Sequence, residues 1–189
     1  QPNQVRESIG IVFQDPSLDT ELTAWENMKL HGMLYNIPAD EIKNRSKELL
    51  SMVDLLDRKD SVVKNFSGGM KRRLEIARGL LHSPKVLFLD EPTIGLDPQT
   101  RARMWDYVFD ISKNSHMTIF LTTHSMEEAE NCGKIAIIDH GKIKALDTPA
   151  ELKRETGKGT INDVFLAITG REIRDQEGYD PKSKIRQDL

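Results

Sequence analysis

The sequence has little cysteine, no long apolar run and no excess of positive charge. Its 189 residues include one cysteine, Cys132, which excludes an internal disulfide and a cysteine-based zinc site. The apolar runs, such as those at 86–89 and 135–138, are far shorter than the ~20 residues that a membrane-spanning helix needs. Lysine and arginine number 27 against 30 aspartates and glutamates, and this near balance does not favour nucleic acid as a partner.

The first part of the chain is predicted to be one strand followed by helices. Residues 8–13 are apolar enough for a short buried strand, which Pro16 ends. Thr23 and Glu26 have the spacing of a capping box and predict a helix to about Tyr35. Apolar residues at helical spacing predict two further helices, at about 38–56 and 70–83.

From residue 85 the pattern changes to strands that alternate with helices. The continuous apolar run at 86–89 is typical of a strand that is covered on both faces of a parallel sheet. Asp97 followed by Pro98 predicts a helix start, and the expected buried stripe of that helix is Ala102, Trp105, Val108 and Phe109. The other expected elements are strands at 118–123, 135–138 and 143–146, helices capped by Ser125 and Thr148, and a short helix at 161–168.

This order of elements predicts an α/β fold. We expect an open, mostly parallel sheet with helices on both faces, preceded by a mainly helical subdomain, and a weakly ordered tail after Gly170. Ligands of such sheets bind at the carboxyl ends of the strands. The polar residues that follow the predicted strands are therefore the first candidates for a site: Gln14, Asp90, Glu91 and His124.

Two adjacent carboxylates, Asp90 and Glu91, follow the strand at 86–89. Successive side chains of a strand point to opposite faces, so the two suit different tasks. One is suited to hold a hydrated Mg²⁺, and the other to orient or deprotonate an attacking water. The alternative is a polar exit from the strand, the commoner explanation for such a pair by itself. Gln14 and His124 also have two possible interpretations, because each residue type suits either a ligand contact or a structural turn.

Ser67, Gly68 and Gly69 stand immediately before an amphipathic helix. Ser67 is suited to cap that helix, and the glycines leave the backbone amides open to a phosphate at the positive end of the helix dipole. Residues 71–73 read Lys-Arg-Arg, and cations are unfavourable in a first turn, which favours an anion or an acidic surface opposite them. The alternative is an ordinary turn followed by a solvated basic face.

Five short motifs occur in a fixed order along the chain. They are Gln14, Ser67-Gly68-Gly69-Met70-Lys71-Arg72-Arg73, the stretch from Leu87 to Thr93, Gly95-Leu96-Asp97-Pro98, and Thr123-His124-Ser125. In this order and spacing they resemble the nucleotide-binding domain of an ATP-binding cassette (ABC) transporter, over residues 5–153. Residues 68–73, 163–166 and 169–172 further resemble the drug-resistance type of exporter ATPase.

The resemblance implies roles for the residues at the strand ends. Gln14 corresponds to the Q-loop glutamine, which touches Mg²⁺ and the attacking water and senses the membrane subunit. Asp90 corresponds to the Walker B carboxylate that binds Mg²⁺, and Glu91 corresponds to the catalytic base. His124 corresponds to the switch histidine on the γ-phosphate of ATP.

The resemblance also implies an assembly. Ser67, Gly68 and Gly69 correspond to the signature motif, which binds the γ-phosphate of ATP held by a second ATPase subunit, and Asp97 corresponds to the D-loop residue at that interface. Permease subunits complete the transporter, so the protein is expected as a peripheral subunit at the cytoplasmic face of the cell membrane. Met70 stands where many members have glutamine, which we interpret as a subfamily variant.

One part of a P-loop NTPase-like fold is missing from the sequence. The phosphate-binding loop, Gly-x-x-x-x-Gly-Lys-Ser/Thr, precedes the Q-loop in the family, and no Gly-Lys pair here has the required neighbours. We therefore expect the C-terminal part of an ATPase domain at 1–153 and an extension at 154–189. Within the former, a helical subdomain is expected at 20–84 and α/β parts at 5–16 and 85–153.

Two alternatives remain open. Chromosome-maintenance and translation-factor ATPases share these motifs, but the former would place a long coiled coil between Gln14 and Ser67, and the latter would show a second cassette and basic linkers. The other alternative is that these residues alone neither bind nor cleave ATP, because the loop that supplies many of the phosphate contacts is absent.

Overall fold

The computed structural model describes residues 2–114 and 117–170. They form two compact units, which divide between Thr123 and His124. The first unit contains α1 (Pro2–Ser8), β1 (Ile9–Val12), α2 (Ala24–Leu34), α3 (Ala39–Met52), α4 (Gly68–Leu80), β2 (Val86–Asp90), α5 (Pro98–Asn114) and β3 (Thr118–Thr122). The second contains α6 (Met126–Glu130), β4 (Ile135–Asp139), β5 (Lys142–Asp147), α7 (Pro149–Thr156) and α8 (Ile161–Thr169). The weakly ordered tail expected after Gly170 lies outside the described residues.

Side-chain hydrogen bonds set where two helices of the first unit begin. The Thr23 hydroxyl accepts from the Glu26 N–H at 3.1 Å, and the Glu26 carboxylate accepts from the Thr23 N–H at 2.8 Å, so α2 has a complete capping box. Asp97 Oδ1 accepts from the N–H groups of Gln99 and Thr100 at 3.1 and 3.0 Å and caps α5. Both predicted helix starts are confirmed.

The end of α3 differs from the expectation. The sequence predicts a helix as far as Leu56, but α3 ends at Met52 and Leu56 begins a separate 3₁₀ turn, Leu56–Arg58. Asp54 lies between them with a φ of 53°, a left-handed conformation that a helix cannot contain. The short helix α1 is a second difference, because the sequence predicts only a strand there.

The buried side of α5 is also rotated from the expected one. Val108 is buried as predicted, but Ala102 is exposed and Trp105 and Phe109 are only half-buried. The fully packed positions are Met104, Val108 and Ile111, which follow the same helical spacing from a different start. In addition, Ser125 precedes α6 without making the expected side-chain capping bond.

The first unit holds a three-stranded parallel sheet in the order β1-β2-β3. Gly10, Val12, Leu87 and Leu89 lie on one face, which α4 and α5 cover to form a buried core. The approach of α4 is close, because a Cβ on Gly10 would lie 2.7 Å from the carbonyl oxygen of Gly79. The parallel α/β architecture predicted from the sequence is confirmed.

The other face of this sheet is open among the described residues. The strand register aligns Ile11, Phe88 and Phe120 in one row, and their exposed fractions are 47%, 36% and 53%. The Phe88 and Phe120 rings contact each other with centroids 5.3 Å apart. Both helices of the first unit that cover this sheet, α4 and α5, pack on one side, so helices on the second face stay an expectation from the sequence.

A second core joins α2, α3 and α4. Its fully buried side chains include Met28, Leu50, Leu55, Leu74 and Leu81. Because α4 contributes to this core with one side and to the sheet core with another, it links the helical part to the sheet. None of the helices in the described ranges is long and apolar enough to cross a membrane.

The second unit contains an antiparallel hairpin and three helices. His140 and Gly141 have φ values of 49° and 71°, which a tight hairpin turn requires, and they join β4 to β5 as predicted. Thr148 caps α7 by accepting from the Glu151 N–H at 3.2 Å. Helices α7 and α8 pack on the hairpin around Ile137, Leu152, Ile161 and Val164.

Candidate functional site

The carboxyl ends of β1 and β2 lie level at one edge of the sheet. The parallel register pairs Val12 with Leu89, so Gln14 and Asp90 follow at the same edge, and both are exposed. The structure thus brings these two predicted site residues to one edge, where ligands of parallel sheets bind. His124, which is exposed, is the first residue of the second unit.

The turn after β2 gives the two carboxylates different environments. The Thr122 hydroxyl donates a hydrogen bond to Asp90 Oδ1. The Glu91 N–H donates to the carbonyl and hydroxyl oxygens of Thr122, both at 3.2 Å. Glu91 has a φ of 43°, a left-handed conformation that costs a glutamate about 1 kcal/mol or more. The strand therefore ends sharply at Asp90, and Glu91 follows in a strained turn of the kind that is frequent at functional sites.

Arg72 of α4 joins this turn to the loop that contains Gln14. Its guanidinium donates to the Pro92 carbonyl at 2.9 Å, to the Asp90 carbonyl at 2.6 Å and to the carbonyl of Phe13, the residue before Gln14. The side chain is buried, which lowers its pKa, and the Glu75 carboxylate opposes that shift. One cation thus contacts both loops at the candidate edge of the sheet.

Glu75, one turn further along α4, extends these contacts to Ser17. Its carboxylate lies 3.5 Å from the Arg72 guanidinium and accepts from the Ser17 N–H at 2.6 Å and the Ser17 hydroxyl at 3.2 Å. Sequence reasoning did not single out Glu75, and it interpreted Arg72 only as part of a solvated or anion-facing basic face. A charged pair at this spacing on a helix reads equally well as a solvated surface pair, and only the tertiary fold shows that it is buried.

Arg72 and Arg73 therefore do not belong to the solvated or anion-facing patch that the sequence suggested. Arg72 is directed to backbone carbonyls of the sheet edge. Arg73 donates to the Val53 carbonyl at 2.8 Å and lies 3.9 Å from the Asp54 carboxylate, both in the helical part. Bonds to carbonyl oxygens offset the unfavourable position of these cations near the start of the helix.

The start of α4 combines a cap with open space. The Ser67 hydroxyl accepts from the Met70 N–H at 3.3 Å, which confirms the predicted cap. A Cβ on Gly69 would lie 2.6 Å from the Thr100 methyl carbon, so packing requires that glycine. A Cβ on Gly68 would meet nothing within 4 Å. No packing contact among the described residues needs Gly68 to lack a side chain, and Gly68 is exposed.

Asp97 uses its carboxylate to cap its own helix. Hydrogen bonds from Thr100 are the main reason that the pKa of Asp97 lies below its usual value, with a smaller contribution from the Gln99 N–H. The carboxylate therefore carries its charge near the N-terminus of α5, where the helix dipole favours a negative group.

The oxygen donors at the sheet edge suit one kind of metal site. No group of three or more His, Cys, Asp or Glu side chains in the described ranges is placed to hold an ion. This edge has one carboxylate side chain, that of Asp90, and one amide side chain, that of Gln14. Mg²⁺ bound together with substrate phosphates usually needs only one or two protein carboxylates, so these residues fit a magnesium–nucleotide complex better than an ion held by protein alone.

These features define an α/β protein of the P-loop NTPase-like class. Residues 1–94 match the family model described as ABC transporter. The chain is 43% identical over 168 residues to the daunorubicin resistance ATP-binding protein DrrA3 of Streptomyces coeruleorubidus, which is 88% of this chain and 52% of that protein. It is 39% identical over 168 residues to the linearmycin resistance ATP-binding protein LnrL of Bacillus subtilis, 88% of this chain and 53% of that protein.

Solved structures of ABC transporter proteins are also similar to this chain. An ATP-binding subunit of an ABC transporter superposes with a TM-score of 0.77 at 28% identity, covering 88% of this chain and 70% of that one. CbiO1 of Clostridium perfringens, part of the ABC transporter complex CbiONQ, superposes with a TM-score of 0.74 at 32% identity, covering 80% and 61%. The chain belongs to the ABC transporter family of ATP-binding proteins. It spans about half the length of the curated relatives it matches.

Proposed function

We propose that this chain is part of a drug-exporter-type ABC ATPase subunit, which hydrolyses ATP to drive transport through membrane permease subunits. The observation that carries the proposal is the shared edge of β1 and β2, where Gln14 and Asp90 follow strands that end level. Relatives named for daunorubicin and linearmycin resistance support the exporter type.

Each of the predicted site residues has a role in this proposal. Asp90 and Gln14 would hold the Mg²⁺ that accompanies ATP, which would supply positive charge against the developing charge of the phosphates. Glu91 accepts a proton from the attacking water and orients it. His124 hydrogen-bonds the γ-phosphate. The left-handed backbone at Glu91 supports its role, because strained conformations of this kind are frequent at functional sites.

The start of α4 faces a second subunit in this proposal. Ser67, Gly68 and Gly69 bind the γ-phosphate of ATP held by the partner, and Asp97 lies at the same interface. The open space at Gly68 supports this, since a phosphate can approach the backbone closely there. ATP then joins two subunits head to tail, and hydrolysis releases them.

The proposal includes a division of the chain into two parts and a location of the subunit at the membrane. Residues 1–153 serve as the C-terminal part of the ATPase domain and 154–189 as an extension. Nucleotide binding needs a phosphate-binding loop, which these 189 residues do not contain. The subunit binds permeases at the cytoplasmic face of the membrane, and nucleic acid is not a partner.

A non-transport ATPase of the chromosome-maintenance type is less well supported. Between Gln14 and Ser67 the described chain has only α2, α3 and two 3₁₀ turns, Leu56–Arg58 and Val63–Asn65. These pack in one compact core with α4, so no coiled-coil arm extends from this segment.

The Glu91→Gln variant of the full-length protein tests the catalytic role. Glutamine keeps the size of the side chain but cannot accept a proton, so hydrolysis should fall about 100-fold or more. ATP-dependent association into dimers, measured by light scattering, should persist. The control is Glu48→Gln on the exposed surface of α3, which should change neither quantity. Equal loss of dimers and turnover in Glu91→Gln would contradict the role.

Nucleotide titration of the 189-residue chain alone tests the need for the missing loop. Without the lysine and amides of that loop, magnesium–ATP should bind weakly or not at all in calorimetry. Tight binding by this chain would show that the site described here does not depend on such a loop.

A further inference from the structure

Arg72 contacts both loops of the candidate site from a single buried position. Its side chain is 7% exposed, and its fork donates to three carbonyls, those of Phe13, Asp90 and Pro92. The first carbonyl precedes Gln14 and the other two flank Glu91. A planar guanidinium with five donors can hold three acceptors in fixed directions, which a lysine ammonium cannot.

Glu75 adds a second buried side chain to the contacts between α4 and the Gln14 loop. It pairs with Arg72 at 3.5 Å and holds Ser17 through the backbone N–H and the hydroxyl, so the loop from Phe13 to Ser17 is held at both ends. Removing Glu75 would leave the buried Arg72 guanidinium without its carboxylate, whereas removing Arg72 would leave Glu75 with only the more distant Arg78, at 3.9 Å. Arg78 adds a donor bond to the Ser17 carbonyl at 2.8 Å.

The same helix carries the proposed nucleotide contact at its first turn. Gly68 is the first residue of α4, and Arg72 lies four residues later, one helical turn away on the same side. Helix backbone between them is rigid on the scale of a hydrogen bond. A force on the start of α4 is therefore transmitted to the two loops through the Arg72 guanidinium.

We propose that Arg72 and Glu75 act as a positioning pair, which fixes the Gln14 loop and the Glu91 turn relative to the start of α4. This inference rests on the proposed ATPase function and adds residues to it. Neither side chain touches the reacting atoms. Their effect is to set the distance between the amide of Gln14 and the carboxylates of Asp90 and Glu91.

Arg72→Lys in the full-length protein tests the pair, with Arg73→Lys as the matched control. Arg73 has the same chemistry on the same helix, but its described partners, Val53, Asp54 and Tyr107, all lie away from the two loops. Arg72→Lys should lower kcat for ATP hydrolysis about tenfold to hundredfold with little change in the KM for ATP, because misplaced loops impair the reaction more than binding. Arg73→Lys should leave kcat within about twofold of wild type.

Hydrogen–deuterium exchange gives a readout that does not depend on hydrolysis. The amides of Ser17 and Glu91 should exchange about tenfold faster in Arg72→Lys, while amides of α2 and α3 keep their wild-type rates. Glu75→Gln should give the same local change at Ser17 and serves as the test if Arg72→Lys does not fold. If wild type hydrolyses no ATP, the proposed function fails, and the exchange rates still decide whether the pair holds the loops.

Two results would overturn the proposal. One is a kcat in Arg72→Lys within about twofold of wild type in an otherwise active protein. The other is exchange that rises equally in α2, α3 and the two loops, because that result describes a general loss of stability. Faster exchange confined to the loops, with kcat lowered and KM retained, supports it.

Discussion

The two faces of the three-stranded sheet have the same kind of side chains and opposite surroundings. Val12, Leu87 and Leu89 on one face are at most 2% exposed under α4 and α5. Ile11, Phe88 and Phe120 on the other face are at least 36% exposed. An apolar run such as 86–89 therefore indicates that a strand has two apolar faces, but it does not indicate which element of the described chain lies over each.

The difference also bears on the site. Most of the described side-chain contacts that hold the edge loops come from α4, on the covered side: Arg72 contacts both loops and Glu75 contacts Ser17. Thr122 of β3 also holds the Glu91 turn. Stability and loop position should therefore depend strongly on the covered face and weakly on the open row. Substitutions on adjacent residues of one strand can test this.

The largest contrast is expected between Leu87→Ala and Phe88→Ala. Leu87 is fully buried, so its truncation should lower the free energy of unfolding by about 3 kcal/mol. Phe88 is 36% exposed and loses mainly its contact with Phe120, so its truncation should cost about 1 kcal/mol. Urea unfolding of both variants measures the difference. Equal losses would show that the open row is covered in solution.

The next effect concerns two half-buried histidine side chains, those of His31 and His82. His31 in α2 lies 4.7 Å from the Tyr35 ring and 5.6 Å from the His82 ring. Burial, with smaller contributions from Arg78 and His82, lowers the pKa of His31 to about 4. Burial also lowers the pKa of His82, whose Nε2 contacts the Ile9 carbonyl.

These shifts predict a loss of stability in acid. Between pH 6.5 and about 4 the unfolded chain binds a proton at His31 while the folded chain does not, so stability falls as pH falls through that window. The loss should reach about 2 kcal/mol, and His31→Gln should remove most of it. Unfolding midpoints measured across this pH range provide the check. The control is His140→Asn in the exposed hairpin turn, which should keep the wild-type dependence.

Local signals in the sequence predicted much of the fold. The capping box at Thr23, the cap at Asp97 and the turn at His140 all involve residues within four positions of each other, and the structure confirms each of them. The edge that joins Gln14 to Asp90 was also predictable, because parallel strands end at one side of a sheet.

Features that depend on tertiary contacts could not be predicted in this way. The side of α5 that faces the core is set by the neighbouring sheet, and several starts of the helical repeat fit the same sequence. The role of Arg72 depends on carbonyls that are 18, 20 and 59 positions away. Charge alone suggested a solvated face or an anion opposite, and burial against backbone carbonyls is a third outcome that the residue type does not indicate.

The smallest expected effects compare two adjacent glycines at the start of α4. In Gly69→Ala the new Cβ would lie 2.6 Å from the Thr100 methyl carbon, so this variant should lose about 1 kcal/mol of stability. Gly68→Ala meets open space and should unfold like wild type or slightly later, because alanine favours helix. If a phosphate approaches Gly68, the same variant should nevertheless impair ATP-dependent dimers in the full-length protein. Gly133→Ala, also in open space, is the control for both measurements. Normal dimers in Gly68→Ala would mean that no ligand approaches the backbone there.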